Sequence, residues 1–249
     1  MATKGRSPYQ STPPADRPLP SRRSEWFVPR FGSPKFQIIV GLLFLPYTAM
    51  VLSYTVIGAM LADLIFWDRV AALALIYFLG LGVAAHALDA IGGDAVKPWG
   101  NAFSKRQLWG VAASALTIAY GLGFYYIFSV APALFGIAIL EGFFVFAYNL
   151  EWFGGRFHTD NAFSFSWGVL PVLAGYVMQT NRLSMSAAIM ACAMGLISRV
   201  EINASRPYKE MRRTGTEHPH GLRFETILKS VSLGVILLAL GLLLFRLSI

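Results

Sequence analysis

The stretch AAHALDAIGGDAVKPWG, residues 84–100, ends an apolar run with an imidazole, two carboxylates and an ammonium: His86, Asp89, Asp94 and Lys97. His86 and Asp89 are three residues apart, so on a helix they share one face. Carboxylates attract cations and lysine attracts anions, and neither is stable in hydrocarbon without a partner. A similar set closes a later run, LISRVEINASRPYKEMRR. There Arg199 and Glu201 come before the segment ends, and Arg206 and Lys209 come after it. Charges inside a spanning segment normally face a protein interior or a watery cavity. Glu141, in AILEGFFVFAYNLEW, lies deeper, near the middle of its segment. An unpaired charge at that depth costs about 2.5–3.5 kcal/mol on insertion scales. Glu141 therefore either makes a hydrogen bond to another helix as a neutral acid or faces a polar cavity. Tyr148 follows seven residues later and so falls on the same helical face.

The elements that must hold these groups are membrane helices. Of the 249 residues 55% are hydrophobic and only 14% charged, against about 25% charged in soluble domains. Mean hydropathy is +0.54. Seven apolar segments are visible, at residues 36–62, 66–91, 106–128, 131–152, 162–180, 184–204 and 224–247. A spanning helix needs about 20 such residues. The expected fold is an all-α, polytopic transmembrane bundle of about seven spans, forming one domain over residues 36–249. Residues 1–35, rich in Pro, Ser and Arg, form an N-terminal arm. Its first 22 or so residues cannot bury enough surface to order themselves. The arm is no secretory signal, because the apolar run starts too late and is too long.

The net charge of +8 fits basic loops at an anionic leaflet and not a nucleic-acid partner. With the N-terminus inside, the loops facing the cytoplasm carry nine Lys and Arg residues and the opposite loops three, Arg69, Arg182 and Arg246. The expected placement is a multi-pass protein of the cell inner membrane, N-terminus cytoplasmic. Asp89, Asp94, Glu201, His86 and His158 then gather at the cytoplasmic face. The single cysteine, Cys192, excludes an intrachain disulfide and reads as a packed core thiol. The abundant aromatic residues read as lipid-facing and interfacial. The fragments HTD (158–160) and HPH (218–220) lack complete metal-ligand sets. Gly92 and Gly93 read as a helix C-cap that also allows close backbone approach to an anion.

Three stretches together resemble the UbiA superfamily of intramembrane prenyltransferases. HALDAIGGDAVKPWGNAFSKRQLWGVAA is similar to that family's first signature, Asn-Asp-x-x-Asp-x-x-x-Asp at the end of helix two, followed by a basic loop and the start of helix three. FSWGVLPVLAGYVMQ matches its Gly-x-x-Pro-x-x-x-Gly pattern with Gly168, Pro171 and Gly175. Glu201 and Ser205 stand where the family's second Asp-x-x-x-Asp motif ends helix six. The likeness covers roughly residues 36–213. It departs from the family in its leading Asn-Asp pair, in its second motif, which keeps one carboxylate, and in having one span after loop six where the family has more.

The resemblance implies a bundle with a central cavity open to the cytoplasm, binding a polyprenyl diphosphate and a small or lipid acceptor. Asp89, Asp94 and Glu201 would hold Mg²⁺, a hard cation that bridges carboxylates and phosphate oxygens. Lys97, Arg199, Arg206 and Lys209 would contact the diphosphate. His86 would serve as a ligand or phosphate donor, and Glu141 and Tyr148 would line the acceptor side. The departures keep a second reading open, a non-catalytic relative that binds an isoprenoid lipid or acts as an assembly partner. A homo-oligomer in which a second copy supplies the missing helices also stays open. A small transporter is the third reading, although the charges gather at one face and not at midplane. The orientation is testable by labelling. In a Cys192→Ala background, Ser7→Cys is expected to resist a membrane-impermeant maleimide in intact cells and Ser248→Cys to react; the reverse pattern would invert the topology.

Overall fold

The computed structural model describes residues 25–92, 102–214 and 219–248, and every regular element among them is helical. We number the helices α1 (Pro34–Leu43), α2 (Leu45–Met60), α3 (Trp67–Ile91), α4 (Lys105–Ser129), α5 (Leu134–Asn149), α6 (Asp160–Thr180), α7 (Met185–Thr214) and α8 (Pro219–Leu247). Each of the seven apolar segments overlaps at least one of them. By length and composition five can cross a membrane, or six if α1 and α2, bent by 41°, count as one span. The remaining apolar helix, α5, has 16 residues, about 24 Å of rise, against a hydrocarbon layer of about 30 Å. It stops at Asn149 because Glu151 and Phe153 adopt left-handed backbone conformations.

Local sequence explains where the helices start and bend. Ser104 and Gln107 form a reciprocal capping box at the start of α4. Pro46 has no N–H and its ring crowds the preceding turn; the chain breaks two residues earlier, at Phe44, with φ 47°. Pro171 follows a π-helical turn at Ser164–Val169, which absorbs its missing donor. A second π-helical stretch, Phe78–Ala85, interrupts α3 just before His86.

The centre of the bundle is the crossing of α2 with α6. A Cβ on Gly58 would overlap the Val172 carbonyl, and one on Gly175 would overlap the Thr55 carbonyl. The two backbones therefore touch directly, as small residues allow in membrane helices. Around this crossing Met50, Tyr54, Ile57 and Val172 are fully buried, together with Ala191 of α7. Lipid-type surface lies outside: Ile118, Phe128, Leu233, Leu237 and Leu244 are exposed. Cys192 is exposed on this outer surface as well, which corrects the core-thiol expectation; its neighbour Ala191 takes the buried position.

At the end of the bundle opposite Asp89, Asn149 and Arg206, arginines cap helix ends. Arg246 donates to the carbonyls of Met60 and Ala62 at 3.0 and 2.7 Å. Arg69 reaches Met178 and Gln179. Two of the three basic residues expected on that side are thus committed to carbonyls left open at helix termini. Of the arm, residues 1–24 lie outside the described residues. Phe27 packs on Phe44 with ring centroids 5.0 Å apart, so the chain meets the bundle before α1 begins.

Gly58→Leu and Gly175→Leu are expected to cost more than the roughly 1–3 kcal/mol of ordinary overpacking, because backbone and not a side chain must yield. Gly121→Leu and Gly234→Leu, where a Cβ meets nothing within 4 Å, serve as controls. Thermal unfolding in detergent should separate the two pairs.

Candidate functional site

A cavity of about 490 Å³ opens at the end of the bundle where α3 and α5 finish, α6 begins and the last turns of α7 run. Five helices and two connections contribute to it. Phe44 comes from the α1–α2 break and Tyr47 from the first turn of α2. His86 and Asp89 come from the end of α3, and Tyr148 and Asn149 from the end of α5. Phe163 and Trp167 come from the start of α6, with Ile202, Arg206, Lys209 and Glu210 from α7. His158, in the connection between α5 and α6, completes the wall.

The face that α7 presents follows from its period. Residues 202, 206, 209 and 210 stack on one side of a continuous helix. The helix runs through Pro207 to Thr214, so Arg206 and Lys209 lie on a helix and not in a loop as expected. Glu201 is turned about 100° away from Ile202, one residue's step on a helix. It is 2% exposed, and Ser205, on its own face, is 1% exposed. Glu201 neighbours Tyr54, whose hydroxyl accepts a 3.1 Å hydrogen bond from Ser198. Glu201 Oε1 has no hydrogen-bond partner among the described residues. The carboxylate expected opposite Asp89 is thus packed into the bundle beside the cavity and is not part of its wall.

The inner part of the cavity is aromatic. The His86 ring lies 5.7 Å from Phe44 and 5.3 Å from Trp167. Trp167 stacks on Phe163 at 5.3 Å, and Tyr47 meets Phe163 edge-on at 6.2 Å. On the other side Tyr148 stacks on His158 at 4.4 Å. His158 Nδ1 lies 3.0 Å from the Tyr148 carbonyl oxygen, which orients the ring.

The rim is charged. Arg206 pairs with Asp160 at 3.0 Å and donates to the His158 carbonyl at 3.3 Å. The Tyr148 hydroxyl lies near Arg206 and in the field of Asp89. Lys209 holds its ammonium 4.4 Å from the centre of the Phe44 ring and 5.5 Å from that of Tyr47, a cation–π arrangement. At this exposure the Arg206–Asp160 pair is worth about 0–1 kcal/mol. It positions Arg206 more than it stabilises the fold. Gly92 closes the end of α3 in extended conformation, and a Cβ there would overlap the Asn149 carbonyl. Glycine at this position lets α3 and α5 close the cavity wall between them.

The structure thus brings His86, Asp89, Tyr148, Arg206 and Lys209 into one cavity. Arg199 is exposed and donates to Asn161 Oδ1 at 2.6 Å instead of lining it. Asp94 and Lys97 lie outside the described residues. Glu141 and Tyr148 do not share a wall. Seven residues apart, they are about 10 Å apart along α5, and Glu141 lines a separate apolar cavity deeper in the bundle. No family profile, curated protein or solved structure matches the chain. Among the described residues no group of three or more His, Cys, Asp or Glu is arranged to hold a metal.

Sequence reasoning missed the aromatic residues of the wall, Phe44, Tyr47, Phe163 and Trp167. In an apolar span they are indistinguishable by pattern from lipid-facing rings. His158 and Asp160 had a signal, the polar HTD just before a span, but not one that named a partner. Trp167→Ala is expected to destabilise the protein by about 3–5 kcal/mol, because that ring backs both His86 and Phe163. Arg206→Ala is expected to cost at most about 1 kcal/mol. Thermal unfolding in detergent of both variants checks the contrast.

Proposed function

We propose that this chain is a membrane protein of the UbiA kind that binds the diphosphate head of a polyprenyl donor in the cavity and transfers the prenyl group to an acceptor. The observation that carries this reading is the convergence of Asp89, Arg206 and Lys209, from distant parts of the sequence, on one aromatic-walled cavity of about 490 Å³. That volume falls in the usual range of small-molecule sites, about 300–1,000 Å³. A diphosphate is a dense anion. Arg206 offers forked donors to its oxygens, and Lys209 a compact charge. The rings of Phe44, Tyr47 and Trp167 present π faces to the allylic carbon that becomes electron-poor as its bond to the diphosphate breaks. In the overall reaction the donor's C1–O bond breaks, the acceptor atom bonds to C1, and the acceptor loses a proton.

Mg²⁺ fits the donor set in one mode. It binds through one or two carboxylates plus substrate phosphate oxygens and keeps several waters. Asp89, with Glu210 on the same wall and Asp94 farther along the chain, are oxygen donors of the right hardness. Bound there, the ion would neutralise part of the leaving diphosphate's charge. The basic excess in the connections that follow α3, α5 and α7 supports a cytoplasmic mouth and a cytoplasmic N-terminus, in a chain that crosses the inner membrane about seven times. The orientation of Glu201 favours a second reading, a relative that holds an isoprenoid diphosphate without turning it over.

The test is binding of radiolabelled geranylgeranyl diphosphate to purified protein with and without Mg²⁺. The transferase reading expects Mg²⁺-dependent binding that falls about tenfold or more in Asp89→Ala and in Arg206→Ala. Metal-independent binding lost in Arg206→Ala but kept in Asp89→Ala would move the assignment to the non-catalytic relative. Absence of binding would remove both.

A further inference from the structure

The deeper cavity, independent of the diphosphate reading, has its own chemistry. It measures about 90 Å³ and lies among α3, α4, α5 and α6. Its wall is aliphatic and aromatic except at one point, Glu141. Tyr77 donates to Glu141 Oε1 at 2.8 Å. Glu141 Oε2 is buried and has no hydrogen-bond partner among the described residues. Tyr120, beside it, spends its hydroxyl proton on the Ala138 carbonyl at 3.2 Å, which leaves its oxygen able to accept. A polar oxygen without a partner at this depth is costly, so the Glu141 carboxyl oxygen calls for a ligand group, and the Tyr120 oxygen beside it can accept one further bond.

Two features give that ligand room and a route. Gly80 of α3 and Gly123 of α4 both line the cavity, and a Cβ on either would meet nothing within 4 Å. The half-buried Leu116 and Ile137 form its outer wall on α4 and α5, helices that touch each other sparsely. The cavity is thus smaller than a whole lipid and only partly enclosed. It can seat a head group while a chain trails into the membrane.

We propose that this cavity is a second binding site, for a lipid-soluble alcohol whose hydroxyl bonds to Glu141. A hydroxyl is the head group that suits the position whatever the carboxyl's state. It donates to a carboxylate or accepts from a carboxylic acid, and can donate to the Tyr120 oxygen. A ketone or quinone carbonyl serves only the protonated acid, and an ammonium only the anion.

The experiment uses the full-length protein in nanodiscs and tritiated farnesol, with the saturated hydrocarbon of the same skeleton as competitor. Saturable farnesol binding is expected, about tenfold or more weaker in Glu141→Leu and within about threefold of wild type in Glu141→Gln, whose amide both donates and accepts. Gly123→Leu, at a position lining the cavity where a Cβ meets nothing within 4 Å, is expected to remove binding with Glu141 intact. The hydrocarbon should compete poorly. Equal competition by the hydrocarbon would overturn the proposal, since the cavity would then take only acyl chains. Binding unaffected by both Glu141→Leu and Gly123→Leu would overturn it as well, because farnesol would be sitting elsewhere. Diphosphate binding is read separately through Asp89→Ala, so each reading stands or falls alone.

Discussion

Two helices at the heart of this bundle meet with no side chain between them. In lipid there is no hydrophobic drive to press helices together, so their association depends on close packing and on hydrogen bonds. Gly58 on α2 and Gly175 on α6 provide the packing by bringing each backbone against the other's carbonyls. What lies on either side of that contact follows from it. Toward one end, the crossing aligns the turn holding Phe44 and Tyr47 with the turn holding Phe163 and Trp167. Toward the other, it brings Gln179 to the backbone of Phe66, where its carbonyl oxygen accepts at 2.7 Å. The same two helices that form the rigid centre therefore supply much of the aromatic wall of the cavity.

Backbone irregularity is not spread evenly through the structure. The left-handed Phe44 and the π-helical stretch carrying Trp167 border the charged cavity, and the π-helical stretch Phe78–Ala85 lines the deeper one with Gly80 and Leu81 and leads directly to His86. At membrane depth, non-regular backbone persists only where it is buried in protein or lines a cavity. π-Helical turns inside longer helices are frequent at functional sites. Regular helices elsewhere, α4 and α8 above all, present side chains to lipid and contribute little to either cavity's charged groups. The division of labour is physical: regular segments span, and irregular ones turn polar or aromatic groups inward.

Much of this was legible in the amino-acid sequence because lipid is a demanding solvent. A run of apolar residues long enough to span is hard to misread: a helix overlaps each of the seven, and five or six of these helices are long and apolar enough to cross a membrane. The i, i+3 pair of His86 and Asp89 did predict a shared face. What sequence could not supply was rotational phase. On α7 both the Glu201 face and the Ile202 face carry polar residues at helical spacing, so pattern alone did not say which one met the cavity. Axial depth was the second loss. Glu141 and Tyr148 share a face by period, yet they open onto different cavities because α5 is long enough to serve both. The end of α7 reads as loop because charges crowd it, although its last three or so turns carry charges as regular helix once they leave the hydrocarbon. The aromatic wall had no signature distinct from ordinary lipid-facing rings.

The π-helical stretch Phe78–Ala85 has a consequence for how this chain tolerates changes in length. A π turn accommodates an additional residue by bonding one position farther along the chain than an α turn. Its presence sets the angle at which everything after it on α3 emerges. Deleting one residue there and returning the stretch to regular α-helix would keep His86 and Asp89 near their present face, whereas deleting one residue from the regular turns Trp67–Tyr77 ahead of it would rotate the pair by about 100°, away from the cavity. The orientation of that polar pair is thus encoded in the number of residues before it as much as in their identity. A comparison that aligns chains by residue type at fixed spacing loses its register at this point.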